Sequence, residues 1–528
     1  MRQAHPLAVV RLAGDEPSMG AQHGEITRAL GGYDAALAFY PELPERILGG
    51  GRRGPGRRFL LEVMRPLLAA GLARLERARP DLARARTRAF LAALGRHARH
   101  GDARHMMVLD LIQNAIGVLG RLGVAPDHDV RRLAASFPGA CTSFAAWGEA
   151  SHDGSLVCGR NFDLPGIGVW ERQPEVAFCA PTRGVRYGFV TTRGADVPGV
   201  TAFNEAGLVI APHTRFHRAV SFDGRGVTDL VHLIARRATT ITEAIAVASE
   251  QRIASSWGLF VSSARERNAV ALEVHAGRVA VVPPAPGRAW HTCANRYRTP
   301  LMQAGELAPS EAWVRYSDGR QHAMERALGR VGPITPGQAM ALMGSREAGD
   351  VDGWQRATGD TICQSITLQS VVFEPEHGRL WVGCGDAPAS LGPWVEVPWR
   401  WGAPGVSVIA PTPGAVGADA GWPGYVDFME AARLEGMRAP IEDVERALAR
   451  ALAAVPDDPS YLHLAGGCAL RAGRPDEAVD RFERAQVGER SAFRRRELAA
   501  WTARARASRR RARAGLDVTV DFQLLTLS

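Results

Sequence analysis

The 528-residue chain has no lysine: all 64 of its basic side chains are arginine. GC-rich codon usage explains the bias, and the chemical consequence holds whatever its origin. A P-loop needs a lysine on the β- and γ-phosphates, so nucleotide binding of that kind is excluded. Schiff-base and pyridoxal-phosphate chemistry go with it, because both need an ε-amine. Long apolar runs are also missing, and none reaches the ~18–20 residues that a membrane span needs. The opening stretch, MRQAHPLAVVRLAGDEPSMG, has an apolar run too short for a signal-peptide core and no small-residue cleavage site after it. A cytoplasmic protein is expected.

Cysteine is sparse. The seven (141, 158, 179, 293, 363, 384 and 468) are odd in number, scattered and without a CxxC pair. Neither a disulfide framework nor a zinc knuckle is indicated, and no metal site is expected. Free thiols suit a reducing compartment. The net charge of +9 sits largely in two arginine tracts, GGGRRGPGRRF and AFRRRELAAWTARARASRRRARAG. Neither carries interleaved aromatics or a reader motif, so nucleic acid is not an expected partner. The second tract reads as a solvated helix face.

What is present is an ordinary globular composition, 46% hydrophobic and 23% charged, long enough for two to four domains. Residues 1–140 read as mainly helical after a first strand. Residues 141–405 alternate short β-rich runs such as GSLVCGRNFDL and AVALEVHAGRVAVV with helical stretches, which predicts α+β layers around antiparallel sheet. A Pro/Gly-rich join, 402–424, leads to a region that is almost wholly helical, so that 406–528 reads as linker and helical tail. There Gly466, Gly473, Ala478, Phe482 and Ala485 fall where a tetratricopeptide repeat keeps its small and aromatic packing residues.

The stretch FPGACTSFAAWG (137–148) puts a small, loop-forming Pro-Gly-Ala directly before Cys141. A cysteine freed as a chain terminus gains an α-amine of pKa ~7.7–8.0, a general base at neutral pH carried by the nucleophile itself. Cleavage at Ala140–Cys141 would create it. The other reading is a core cysteine at a strand start. Downstream, CGRNFDLPG supplies Arg160, Asn161 and Asp163 on a strand expected to pair with the one Cys141 opens. Strand alternation sends Asn161 and Asp163 the same way. A carboxylate facing the nucleophile would hold the terminal ammonium or orient a substrate amide, and the other reading is a turn-capping aspartate with a surface arginine. Asn295 is a neutral donor suited to an oxyanion hole, or a plain turn residue. YSDGRQHAMERAL reads as a helix start, with Ser317 or Asp318 as N-cap and Arg320 in the first turn.

Taken in order, GDEPSMGAQHGEITRAL, ACTSFAAWG, GRNFDL, TAFNEAGLVIAPH, HTCANRYR, YSDGRQHAMERAL and TLQSVVFEPEHGRLWVGCGDAP resemble the acyl-coenzyme A:isopenicillin N acyltransferase family of self-processing N-terminal nucleophile (Ntn) hydrolases. The likeness covers roughly residues 7–400. It implies an αββα sandwich, with 1–140 as a helical prosegment retained after cleavage, 141–405 as the catalytic core and a helical tail outside the likeness. It further implies Cys141 as nucleophile, Asp163 and Arg160 beside it, Asn295 in the oxyanion hole, and Ser317 and Arg320 on a Ser-x-x-Arg helix start. His213 and Thr214 would line the substrate pocket beyond the Asn204–Gly207 turn. Ala140 stands where the penicillin enzyme has glycine, and the family's His-Thr-Asn reads His291-Thr292-Cys293-Ala294-Asn295. The implied substrate is a small acyl amide or acyl-coenzyme A, with no cofactor. The rival expectation is an Ntn-like binding protein that has lost processing and docks a protein partner through its tail.

Overall fold

A computed structural model of the chain describes residues 3–39, 43, 55–95, 107–121, 139–308, 310–412, 422–509, 518, 520–523 and 525–527. Pro138 and most of the first arginine tract lie outside the described residues. No described helix is long and apolar enough to cross a membrane.

The N-terminal part supplies β1 (Leu7–Gly14), α1 (Glu16–Leu30), α2 (Pro55–Ala78), α3 (Asp81–Ala93) and α4 (Met107–Arg121). Then follow β2 (Ala140–Gly148), β3 (Gly154–Asp163), β4 (Pro174–Pro181), β5 (Tyr187–Thr192), β6 (Ala202–Asn204), β7 (Leu208–Thr214), α5 (Val227–Arg237), α6 (Ile241–Ser249), β8 (Trp257–Ser263), β9 (Asn268–His275), β10 (Arg278–Val282) and β11 (Trp290–Cys293). After α7 (Pro300–Gln303), α8 (Glu311–Val331) and α9 (Pro336–Met343) come β12 (Thr367–Glu374), β13 (Arg379–Gly383), β14 (Trp394–Pro398) and β15 (Gly405–Ile409). The tail holds α10 (Tyr425–Gly436), α11 (Ile441–Ala454), α12 (Pro459–Arg471), α13 (Pro475–Gly488), α14 (Ala492–Ser508) and a small hairpin of β16 (Val520–Asp521) and β17 (Thr526–Leu527).

Among the described residues, one nine-stranded sheet runs β10-β9-β8-β7-β6-β5-β4-β1-β15 and one six-stranded sheet runs β11-β2-β3-β12-β13-β14. Pairing is antiparallel except between β1 and β4. Strand alternation builds the layers. Odd-numbered Leu7 and Val9 of β1 join Phe178, Phe203 and Val209 against Leu156, Val371, Phe373 and Val382 of the other sheet, so the two sheets share an apolar interior. Even-numbered Val10 and Leu12 face the opposite side, in the cluster that holds Leu230, Val231 and Ile234 of α5. On the far side of the six-stranded sheet, Phe144, Ala146, Val157 and Val372 pack against Met324 and Leu328 of α8 and Met340 and Met343 of α9. The result is helix, sheet, sheet, helix.

Two expectations change. The join contains β15, which completes the nine-stranded sheet by pairing with β1 beyond residue 405. Val406 and Val408 alternate with Ser407 there, a period-2 pattern that outweighs the surrounding glycine and proline. The helix carrying Arg320 begins earlier than residue 317: Ser310 is its N-cap and accepts from Trp313 N at 3.1 Å. Ser317 and Arg320 are interior helical residues, and both are buried. In the tail, Gly466 lies against Phe482, whose ring a β-carbon at 466 would meet at 2.3 Å, and Gly473 takes φ 77°.

Candidate active site

Cys141 sits second in β2, whose register with β3 pairs Cys141 with Phe162, Ser143 with Arg160 and Ala140 with Asp163. Opposed residues of an antiparallel pair share a face. The thiol therefore points with Arg160 into the space between the sheets, and Asp163 points with Ala140 and Thr142 toward α8. The expected carboxylate facing the thiol is on the opposite pleat. It lies beside the main chain of Cys141, and that placement suits a charge on the nitrogen better than one on the sulfur.

Arg160 is fully enclosed and tied on three sides. One Nη donates to Val200 O, and the other donates to Pro212 O at 2.9 Å and to Cys141 Sγ at 3.3 Å. Its guanidinium thus spans from the six-stranded sheet to β7 with the sulfur between. Arg320 reaches in from α8. Its Nη1 donates to Cys141 O and Thr142 Oγ1, each at 2.7 Å, and its Nη2 donates to Asn295 Oδ1 at 2.6 Å.

Asn295 follows β11, which lies against β2 with Cys293 opposite Ser143. Its oxygen also accepts from Cys141 N at 3.1 Å, and its amide nitrogen donates to Thr214 O at 2.9 Å. Because arginine only donates, the contact with Arg320 fixes which way the amide faces. In the continuous chain Asn295 meets Cys141 as an acceptor. Ser317 acts through the same residue: its hydroxyl accepts from Asn295 N at 2.9 Å. Thr214 takes part through its carbonyl. His213 and Ser143 share a hydrogen bond of 2.9 Å between the sheets. Asn204 is structural: its oxygen accepts from Ala206 N and Leu208 N, and its NH2 donates to Ala235 O of α5 and to Ala238 O just after it.

Electrostatics at this buried spot is dominated by cations. Burial lifts the Cys141 thiol above its ordinary value, Arg160 pulls it down and the charge of Asp163 raises it again. Burial pushes the Asp163 carboxyl up to about 6 against the pull of Arg320 and the Thr367 hydroxyl, which donates to Oδ1 at 2.7 Å. Its Oδ2 is buried without a hydrogen-bond partner among the described residues. His213 is held well below the usual imidazole range by burial and by Arg160, Arg215 and Arg320, so it is neutral.

Several contributors escape the sequence. Arg215 is buried beside the site, donating to Glu273 at 2.8 Å and to Cys293 Sγ at 3.4 Å. No short motif links these three residues, which meet only through the β7–β8–β9 pairing and β11. Thr142 and Ser143 were legible only as neighbours of the thiol. A groove of about 440 Å³ between α11, α12 and α13, lined by Leu448, Leu452, Leu462 and Arg481 among others, shares no residue with this cluster. All seven cysteines are buried, and none of them forms a disulfide.

No family model and no curated protein matches the sequence. Solved structures similar to the chain include a Caenorhabditis elegans ortholog of N-acylethanolamine-hydrolyzing acid amidase, at 14% identity and TM-score 0.33, over 44% of this chain and 93% of that one. A mutant conjugated bile acid hydrolase from Clostridium perfringens aligns at 11% identity and TM-score 0.35, over 52% and 98%. A second variant of that hydrolase aligns at 10% identity and TM-score 0.36, over 53% and 100%.

Proposed function

We propose that the chain is a self-processing cysteine amidohydrolase or acyltransferase of the Ntn type. The observation that carries this reading is the strand end at Cys141. Its nitrogen, carbonyl and sulfur are held by Asn295, Arg320 and Arg160 respectively, and a carboxylate oxygen of Asp163 lies buried beside them with no hydrogen-bond partner among the described residues. A buried acceptor without a donor is costly, about 1–3 kcal/mol. An ammonium group at residue 141 would repay it.

In the proposed processing step, Sγ attacks the Ala140 carbonyl and loses its proton, the C–N bond breaks, and the nitrogen takes up a proton. Water then hydrolyses the thioester, leaving a carboxylate on Ala140 and a free amine on Cys141. In turnover the amine accepts the thiol proton as sulfur attacks the substrate's amide or thioester carbonyl, and returns it to the leaving group. Asp163 and Asn295 Oδ1 hold the ammonium form. The proposed oxyanion donors are main-chain N–H groups and the Asn295 amide, once its NH2 leaves Thr214 O. Water or an amine then takes the acyl group from Cys141. Residues 1–140 remain bound as the smaller chain.

Cys141→Ala is the test. The expected product is one uncut chain with no amidase activity, beside a wild type that is cut. An alanine variant that is cut or active removes Cys141 from the reaction. A wild type that stays intact with an inert Cys141 is the binding protein of the rival expectation.

A further inference from the structure

The tail is wired into the helix that holds Cys141. Gln523, in the turn between β16 and β17, donates from Nε2 to the hydroxyl of Tyr316. Tyr316 is fully buried on α8, four residues before Arg320, and its ring lies 4.3 Å from the Arg320 guanidinium carbon. Arg320 in turn grips Cys141 O, Thr142 Oγ1 and Asn295 Oδ1. Three links therefore join the far end of the chain to the nucleophile.

A second set of contacts leads to the same place. The segment around residues 349–360 presses on α8 at Gly319, where a β-carbon would come within 2.6 Å of Asp360 Cβ. That segment is pinned from the tail side. Arg356 donates to Asp360 and, at 3.0 Å, to Glu489; Ser491 donates to Asp350; and Thr358 donates to Gln523 O at 3.3 Å. The hairpin is itself anchored, because Gly467 of α12 leaves room for Val520 and Leu527.

We infer that Tyr316 and Gln523 are positioning residues for the candidate active site, and that the C-terminal hairpin sets Arg320, and through it the main chain of Cys141, rather than serving as a separable appendage. This rests on the reading of Cys141 as the reactive residue, but its structural part can be tested without activity.

The experiment is amide hydrogen exchange on the full-length protein and on Tyr316→Phe, Gln523→Ala and the double variant. Tyr316→Phe keeps the ring on Arg320 and removes only the hydroxyl. Exchange over 142–146 should rise about tenfold in each single variant, the ratio expected for one lost buried hydrogen bond, and no further in the double, since both substitutions cut the same link. Exchange in β8 and β9 should not change. Increased exchange confined to the hairpin and α8, with 142–146 as in wild type, overturns the proposal: the tail would then only cover the helix. The cut fraction, read by mass in the same samples, separates the two readings. An uncut wild type whose 142–146 exchange still depends on Gln523 removes the catalytic reading and keeps the positioning one.

Discussion

Asp163 is a carboxylate kept where ionisation is expensive. Its pKa is raised from 3.8 to about 6, so the folded state holds the proton more tightly than the unfolded chain does. The stability this gives is complete below about pH 4 and is lost as pH rises through 6. At neutral pH the ionised group costs up to about 3 kcal/mol, the equivalent of its shift. Asp163→Asn should therefore be more stable than wild type at pH 7.5 and nearly equal at pH 4, in urea melts of the uncut Cys141→Ala background. The same substitution in the wild-type background should slow self-cleavage, and remove the fall in cleavage expected as pH drops below 6. A variant that is both less stable and fully processed contradicts this role. The residue types were legible in the sequence, since Cys141, Arg160, Asp163, Asn295 and Arg320 all converge. The face was not, because a register shift of one residue decides it.

At the scale of elements, the geometry depends on how closely a loop approaches α8. Gly349 and Gly319 touch backbone to backbone, and a β-carbon on 349 would lie 2.2 Å from Gly319 Cα. Gly319→Ala should push the 349–360 segment off the helix next to Arg320. The expected cost is about 1–3 kcal/mol of overpacking, with loss of processing larger than that of Gly329→Ala, which meets nothing within 4 Å among the described residues. Cleavage time courses and melts of the two variants check it. Strands such as β3, β5, β7, β9 and β12 and several helices were legible from periodicity, but two features were misplaced for identifiable reasons. The Ser-Asp-Gly of α8 imitates an N-cap, yet the actual cap is Ser310. The glycines and prolines around β15 imitate a linker, yet a β1 edge awaited a partner.

For the whole molecule, the N-terminal part is bound by more than a strand. His23 of α1 lies fully buried between Glu175 and Asp196, at 2.5 and 2.8 Å, and Arg86 of α3 joins Asp196, Glu16 and Tyr187. Residues on both sides of the proposed cut thus neutralise one another inside the fold. Removing one partner of such a cluster costs about 3–5 kcal/mol, so Arg86→Ala should be severely destabilised in urea melts. His23 is raised from 6.5 to about 9 by its two carboxylates, against burial. Its contribution is complete below about pH 6.5 and disappears as pH climbs through 9. The protein should lose stability between pH 7 and 10, and His23→Gln should flatten that slope. Nothing in the sequence announces this cluster, because its members are scattered over four elements and the β5–β6 connection.

The most direct measurement is the intact mass and N-terminal sequence of freshly purified protein. Two chains that copurify are expected, one ending at Ala140 and one beginning Cys-Thr-Ser-Phe. A single chain running unbroken through residues 140 and 141, in protein that also hydrolyses no amide or thioester, would contradict self-processing at Cys141.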